Sequence, residues 1–140
     1  MKSKLAFFLG VIWIVVGSGC KKEEDTVPNV AVNIYLQTTD PDFNDLNAVG
    51  GWIYLTGGSR GILVYRFSME EFKAFDRHCT YDPSSTCGVV SVDQSGIIAV
   101  DSCCNSKFLI TDGSVLEGPA SLPLKPYQTY FDGVSLRIYN

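Results

Sequence analysis

Basic residues are scarce in this chain. Eleven Lys and Arg stand against fifteen Asp and Glu. No basic stripe interrupts that balance, which excludes the electrostatic footprint of a nucleic-acid partner. Histidine is almost missing, with His78 the sole example. Ser59, Ser84, Ser85 and Ser106 therefore have no other imidazole to activate them. None has the strand–turn–helix context of a nucleophile elbow, so no hydrolase site is assigned. No Cys-X-X-Cys pair occurs, and a thiol-redox or zinc role accordingly ranks last among the readings of the cysteines. Long hydrophobic runs are absent as well. The longest, Leu5–Val16, has twelve residues, too few to favour a spanning helix and within the range of a signal-peptide core.

That run follows Lys2 and Lys4 and ends in Gly17-Ser18-Gly19-Cys20. Small residues before Cys resemble a lipobox, with Gly17 where Leu is usual. Residues 1–19 are read as a lipoprotein signal peptide and Cys20 as the lipidated residue. Residues 20–29 are a solvated tether, and residues 30–140 a single domain. The charged run Cys20-Lys21-Lys22-Glu23-Glu24-Asp25 cannot bury itself. It resembles the export signals of Bacteroidetes-type lipoproteins. The expected location is the outer membrane, periplasmic or surface-exposed, with Cys20 as the membrane link. Acyl chains hold firmly because each buried methylene contributes ~0.8 kcal/mol.

What is present is β patterning. Val30, Val32, Ile34 and Leu36 alternate with polar or small residues. Trp52–Leu55, Ile62–Phe67, Phe72–Phe75, Val89–Val92, Ile97–Val100 and Phe108–Ile110 are further short strands. Ile62, Val64 and Arg66 share one face, and Leu63, Tyr65 and Phe67 the other. Ser68–Glu71, Ser95-Gly96 and Asp112-Gly113 mark turns. Tyr127–Phe131 and Val134–Ile138 predict a hairpin about a two-residue Asp132-Gly133 turn. Leu122–Pro126 is expected to be a loop. Tyr127, Tyr130, Phe131 and Tyr139 read as cross-strand aromatic packing. Asp40, Asp42, Asn44 and Asp45 faintly resemble a calcium loop, but its Gly and terminal Glu are missing. An acidic helix start accounts for them better. Strands at this spacing with no long helix predict an all-β sandwich or barrel.

Four cysteines follow the tether: Cys79, Cys87, Cys103 and Cys104. An even number in an exported chain points first to disulfides. Between residues 46 and 139 the order of segments resembles a Rieske iron–sulfur domain. Gly50–Leu55 and Ile62–Arg66 are similar to its early strands. Phe72–Thr80 is similar to the approach to its first cluster loop, and Asn105–Phe108 to the stretch after its second. Thr111–Ala120 follows its run of turn, Val, Gly, Pro and Ala. The resemblance implies an all-β Rieske-like fold with a cluster-binding-like subdomain at about residues 79–110. It also implies four ligand positions: Cys79, Tyr81, Asp101 and Cys104. The family binds one iron of a 2Fe–2S cluster with two Cys and the other with two His. Here one ligand in four survives. A phenol, a hard carboxylate and a thiol replace the other three. His78 is expected to point away as a surface or loop residue.

The resemblance further implies a loop-joining disulfide, matched by Cys87–Cys103, and leaves Cys79 and Cys104 facing one cavity as a second bridge. The pairing Cys79–Cys103 with Cys87–Cys104 and a vicinal Cys103–Cys104 bond remain as alternatives. The resulting expectation is a non-enzymatic, lipid-anchored accessory or binding protein, with disulfides in place of the cluster. It has no cofactor and no catalytic or metal residues, and an envelope protein is its expected partner. No small-molecule ligand is identified. The rival is an electron-transfer protein with an atypically ligated 2Fe–2S cluster.

Overall fold

Because alternate strand residues face opposite ways, β3 can serve two cores at once, and the architecture is built around that. The computed structural model describes residues 25–140. The segment read as a signal peptide, and Cys20, lie outside the described residues. Ten strands follow in order: β1 (Asn33–Gln37), β2 (Trp52–Leu55), β3 (Ile62–Arg66), β4 (Phe72–Asp76), β5 (Val90–Val92), β6 (Ile98–Asp101), β7 (Lys107–Leu109), β8 (Val115–Glu117), β9 (Pro126–Phe131) and β10 (Ser135–Tyr139). A 3₁₀ helix, Pro41–Asn47, joins β1 to β2.

All pairings of named strands are antiparallel. A curled six-stranded sheet has the order β1-β10-β9-β4-β3-β2, and a second sheet the order β5-β6-β7-β8. The small sheet is inserted between β4 and β9. Ile62 and Val64 of β3 pack inside the curl with Leu46, Phe72, Leu136 and Ile138. Leu63 and Tyr65 face the other way, with Phe75, Val90, Ala99, Phe108 and Ile110 from the small-sheet side. Every residue of β3 is buried. The all-β expectation and the two-faced reading of Ile62–Arg66 therefore hold. Arg66 is tolerated inside because its Nη1 donates to Leu46 O at 2.7 Å and its Nη2 to Met69 O at 2.7 Å. Its guanidinium also lies over the Phe72 and Phe131 rings.

Some expectations need correction. The last hairpin does not turn on two residues. Leu136 pairs with Phe131, which leaves four in the loop. The Asp132 carboxylate accepts from Val134 N and Ser135 N, and this local bonding competes with the tighter turn. Pro126 is not loop but the first residue of β9, a position where its missing N–H is tolerated. The hairpin aromatics do not form one cluster. Tyr127 and Phe131 face the core inside the curl, while Tyr130 is exposed. The acidic 40–45 segment is a helix start, with the Asp40 side chain accepting from Asp42 N.

One buried carboxylate ties the sheet to the loops. Asp76, at the end of β4, is fully buried. It accepts from Ser59 N at 2.6 Å, Arg60 N at 3.2 Å, His78 N at 2.9 Å and Tyr127 OH at 2.7 Å. Gly58 must be glycine: its φ is +62°, and a Cβ there would lie 2.4 Å from the Tyr127 hydroxyl and 2.5 Å from Asp76 Oδ2. Replacing Tyr127 by Phe removes a hydrogen bond to a buried carboxylate and should cost about 1.5–3 kcal/mol. Asp76→Ala leaves all four donors without their acceptor and should cost ~3 kcal/mol or more. Urea unfolding of both variants, with the Asp76 variant the less stable, checks this ordering.

Candidate functional site

The two loops that carry the cysteines leave the small sheet side by side. The first begins where β4 runs on through Arg77 to Cys79. His78 bridges to Val89, Cys79 N donates to Gly88 O at 3.0 Å, and Val90 N donates to Arg77 O at 2.8 Å. These bonds close residues 80–87 into a loop. The second is residues 101–106, between β6 and β7. Asp101 N donates to Ser106 O at 2.9 Å, and Asn105 N donates to Asp101 O at 2.7 Å. Asn105 takes the left-handed conformation, φ 62°, which Asn adopts more readily than other non-glycine residues.

The structure brings the sequence-predicted site residues together. Tyr81, Asp101, Cys103 and Cys104 line one cavity of about 180 Å³ with Asp82, Ser85 and Gly88. Cys79 lies buried against it, its sulfur 3.7 Å from Cys104 Sγ. Cys87 and Cys103 form a disulfide with their Cα atoms 5.9 Å apart, which joins the two loops. Both rival connectivities are thereby set aside. The second bridge expected between Cys79 and Cys104 is not formed: both are thiols, in van der Waals contact. Each has another partner. Cys104 Sγ lies 3.2 Å from Asp101 Oδ2 and 3.1 Å from Ser106 Oγ. Burial, together with the hydrogen bond to the Asp101 carboxyl, pushes the Cys79 thiol far above its ordinary range, so it stays protonated near neutrality.

Asp101 is 1 % exposed. At the position implied for a ligand thiolate it acts as a loop brace, with Oδ1 accepting from Cys103 N at 2.8 Å. Tyr81 is half-exposed at the cavity mouth.

His78 is not a surface residue. It is buried, with Nε2 donating to Pro83 O at 2.9 Å and Nδ1 accepting from Ser59 Oγ at 2.8 Å. Burial pulls its pKa below the ordinary imidazole value. The Pro83 carbonyl opposes that shift and the Arg60 guanidinium adds to it. Alternation along an extended segment turned His78 away from Cys79, but a buried loop lay on that side. The Ser59–His78 contact was missed because only the fold joins residues nineteen apart. Gly57–Gly61 reads Gly-X-Ser-X-Gly, yet it links antiparallel β2 and β3 rather than a strand to a helix. Ser59 N and Arg60 N both bind Asp76, and Gly61 N binds Gly57 O. Those amides cannot form an oxyanion hole, so the pair positions the loop rather than catalysing a reaction.

No protein-family model matches this chain, and no curated protein does. Among solved structures it is similar to the cyanobacterial plasma membrane Rieske protein PetC3 from Synechocystis PCC 6803. The identity is 23% and the TM-score 0.58, over 76% of this chain and 99% of that one. A second match, to the E. coli protein NirD, has 16% identity and a TM-score of 0.45, over 78% and 98%. The chain has the Rieske fold, with a disulfide in the cluster region.

The site does not fit that fold's 2Fe–2S group. Cys79 and Cys104 match positions on opposite irons, yet their sulfurs touch at 3.7 Å. No space remains between them for two irons and two sulfides. The other two positions offer a phenol and a carboxylate that is already hydrogen-bonded.

A bridge closing a sixteen-residue separation contributes about 3 kcal/mol. The double variant Cys87→Ser/Cys103→Ser should lose about that much stability in non-reducing urea unfolding. Dithiothreitol should lower the wild-type midpoint towards that of the variant.

Proposed function

We propose that this protein is a lipid-anchored envelope protein that uses the Rieske fold as a non-enzymatic accessory or binding scaffold. The observation that carries this reading is the state of the former ligand positions. Cys79 and Cys104 are in contact, Asp101 braces its own loop, and Cys87–Cys103 supplies the cross-link between loops. Such a site holds its shape without an electron-carrying centre. Attachment through Cys20 rests on the run Leu5–Cys20, and location at the outer membrane on the acidic stretch that follows it. A partner in the envelope is expected to meet an acidic domain: after Cys20, six more acidic than basic residues remain.

The full chain, purified anaerobically in mild detergent, tests the reading. It should be colourless, free of acid-labile sulfide and silent in EPR. Stoichiometric iron and sulfide with a Rieske-like signal would overturn the proposal in favour of electron transfer. For the anchor, Cys20→Ala should shift the protein from the detergent phase to the aqueous phase on Triton X-114 partitioning.

A further inference from the structure

Two carboxylates are buried to the same degree in this domain, and they are treated differently. Asp76 receives three backbone N–H groups and a phenol. Asp101 receives one backbone N–H, from Cys103, and beyond it only the weak thiol donors of Cys104 and Cys79. Among the described residues no salt bridge reaches it. Buried carboxylates are held by ample hydrogen bonding, by an opposite charge, or by a metal. The first arrangement accounts for Asp76 and falls short for Asp101.

The surroundings of Asp101 supply the third. One ligand atom each from Cys79, Asp101 and Cys104 lies within 4.8 Å of the others. Zinc–sulfur bonds are about 2.3 Å, so two thiolates on a tetrahedral zinc stand roughly 3.8 Å apart. Cys79 Sγ and Cys104 Sγ are 3.7 Å apart. The three residues come from two segments, Cys79 from the start of the loop after β4, and Asp101 and Cys104 from the end of β6 and the loop that follows it. They are held independently, by Cys79 N to Gly88 O, by Asp101 N to Ser106 O and by the Cys87–Cys103 bridge. The set is therefore preorganised rather than assembled by the ion. Its open side is the cavity of about 180 Å³ beneath Tyr81.

We propose that Cys79, Asp101 and Cys104 form a mononuclear site for a borderline-soft divalent ion of the zinc class, with the fourth coordination position facing that cavity. Binding one ion deprotonates two thiols and releases two protons. The site then carries two thiolates, one carboxylate and one dication. Three protein ligands with an open fourth position are the pattern of zinc sites that keep a place for water or an external ligand, whereas closed structural sites use four. The site requires no cluster and no redox change, so it is independent of the accessory reading and compatible with it.

Cobalt(II) is the probe. The full chain in mild detergent is freed of metal by chelation, with the Cys87–Cys103 bridge kept intact, and titrated with Co²⁺ and then Zn²⁺. The expected result is saturation at one ion per chain, with the visible bands of tetrahedral cobalt and a near-ultraviolet thiolate-to-cobalt band, both abolished by Zn²⁺. Cys79→Ser and Cys104→Ser should each weaken binding at least tenfold and diminish the thiolate band. Asp101→Asn should weaken binding about tenfold and leave the thiolate band in place. Cys104 is less buried than Cys79, so its variant is expected to fold even if the Cys79 variant does not, and circular dichroism separates the two cases. Zn²⁺ should also protect both thiols from alkylation.

Absence of one-to-one binding, or binding unchanged in the Cys104 variant, would overturn the proposal. So would peptide mapping that finds a Cys79–Cys104 disulfide in the natively isolated protein, a result that leaves the accessory reading intact. Stoichiometric sulfide with iron would overturn both.

Discussion

Asp76 accepts hydrogen bonds from the 58–60 turn, from the start of the first cysteine loop and from β9. No other side chain in the described domain joins so many separate segments. The small sheet is inserted between β4 and β9, so the chain must leave the large sheet at residue 76 and return at residue 126. Asp76 stands at the departure point and Tyr127 at the return, and their hydrogen bond fixes the two ends of the insertion against each other. Gly58 contributes by having no side chain, since a Cβ there would collide with both partners. The geometry of the cysteine loops is therefore set from below, by the large sheet, before any cysteine chemistry acts.

That ordering gives each cysteine loop supports of its own. The first loop has ties that involve no sulfur. His78 Nε2 holds Pro83 O, and Thr80 Oγ1 donates to Leu122 O. The Arg60 guanidinium donates to the carbonyls of Gly88 and Ser85. The second loop is braced by the Asp101 carboxylate and by its own turn. Ser106, buried beneath it, accepts from Ala120 N. The disulfide then joins two loops that are each already formed. Two hydrophobic cores share β3 and β4, so the small sheet is packed against the large one whether or not a cofactor links the loops.

Much of this was legible in the sequence, and the reasons differ by element. Strands were readable wherever both faces, or one face, are apolar by alternation, as in Ile62–Arg66. The four positions that the resemblance implied do come together: Tyr81, Asp101 and Cys104 line one cavity, and Cys79 lies buried against it. β8 was not assigned as a strand: Val115–Glu117 is only three residues long, and two of them are exposed. The final turn was misread because Asp132-Gly133 suits a two-residue loop, while the Asp132 carboxylate prefers the amides of residues 134 and 135. His78 was misplaced because alternation says which side a residue faces and not what covers that side. The roles of Asp76 and Ser59 depend on contacts between residues far apart in the chain, for which local sequence carries no mark.

The same distinction separates the two kinds of cysteine. Cys87 lies in an exposed part of the first loop and Cys103 at the tip of the second, where pairing needs only that the loops stand side by side. Cys79 and Cys104 sit deeper, with a buried carboxylate as a third neighbour. Sequence arithmetic treats all four thiols alike and so predicts two bridges. The structure makes them unlike, because closing a disulfide between Cys79 and Cys104 would leave Asp101 with less than it has now. Cys104 would lose the thiol proton that it shares with that carboxylate, and the carboxylate would keep one backbone donor. A buried polar group left short of partners is costly. The hydrogen bonding of Asp101, rather than the count of cysteines, therefore favours keeping this pair as thiols.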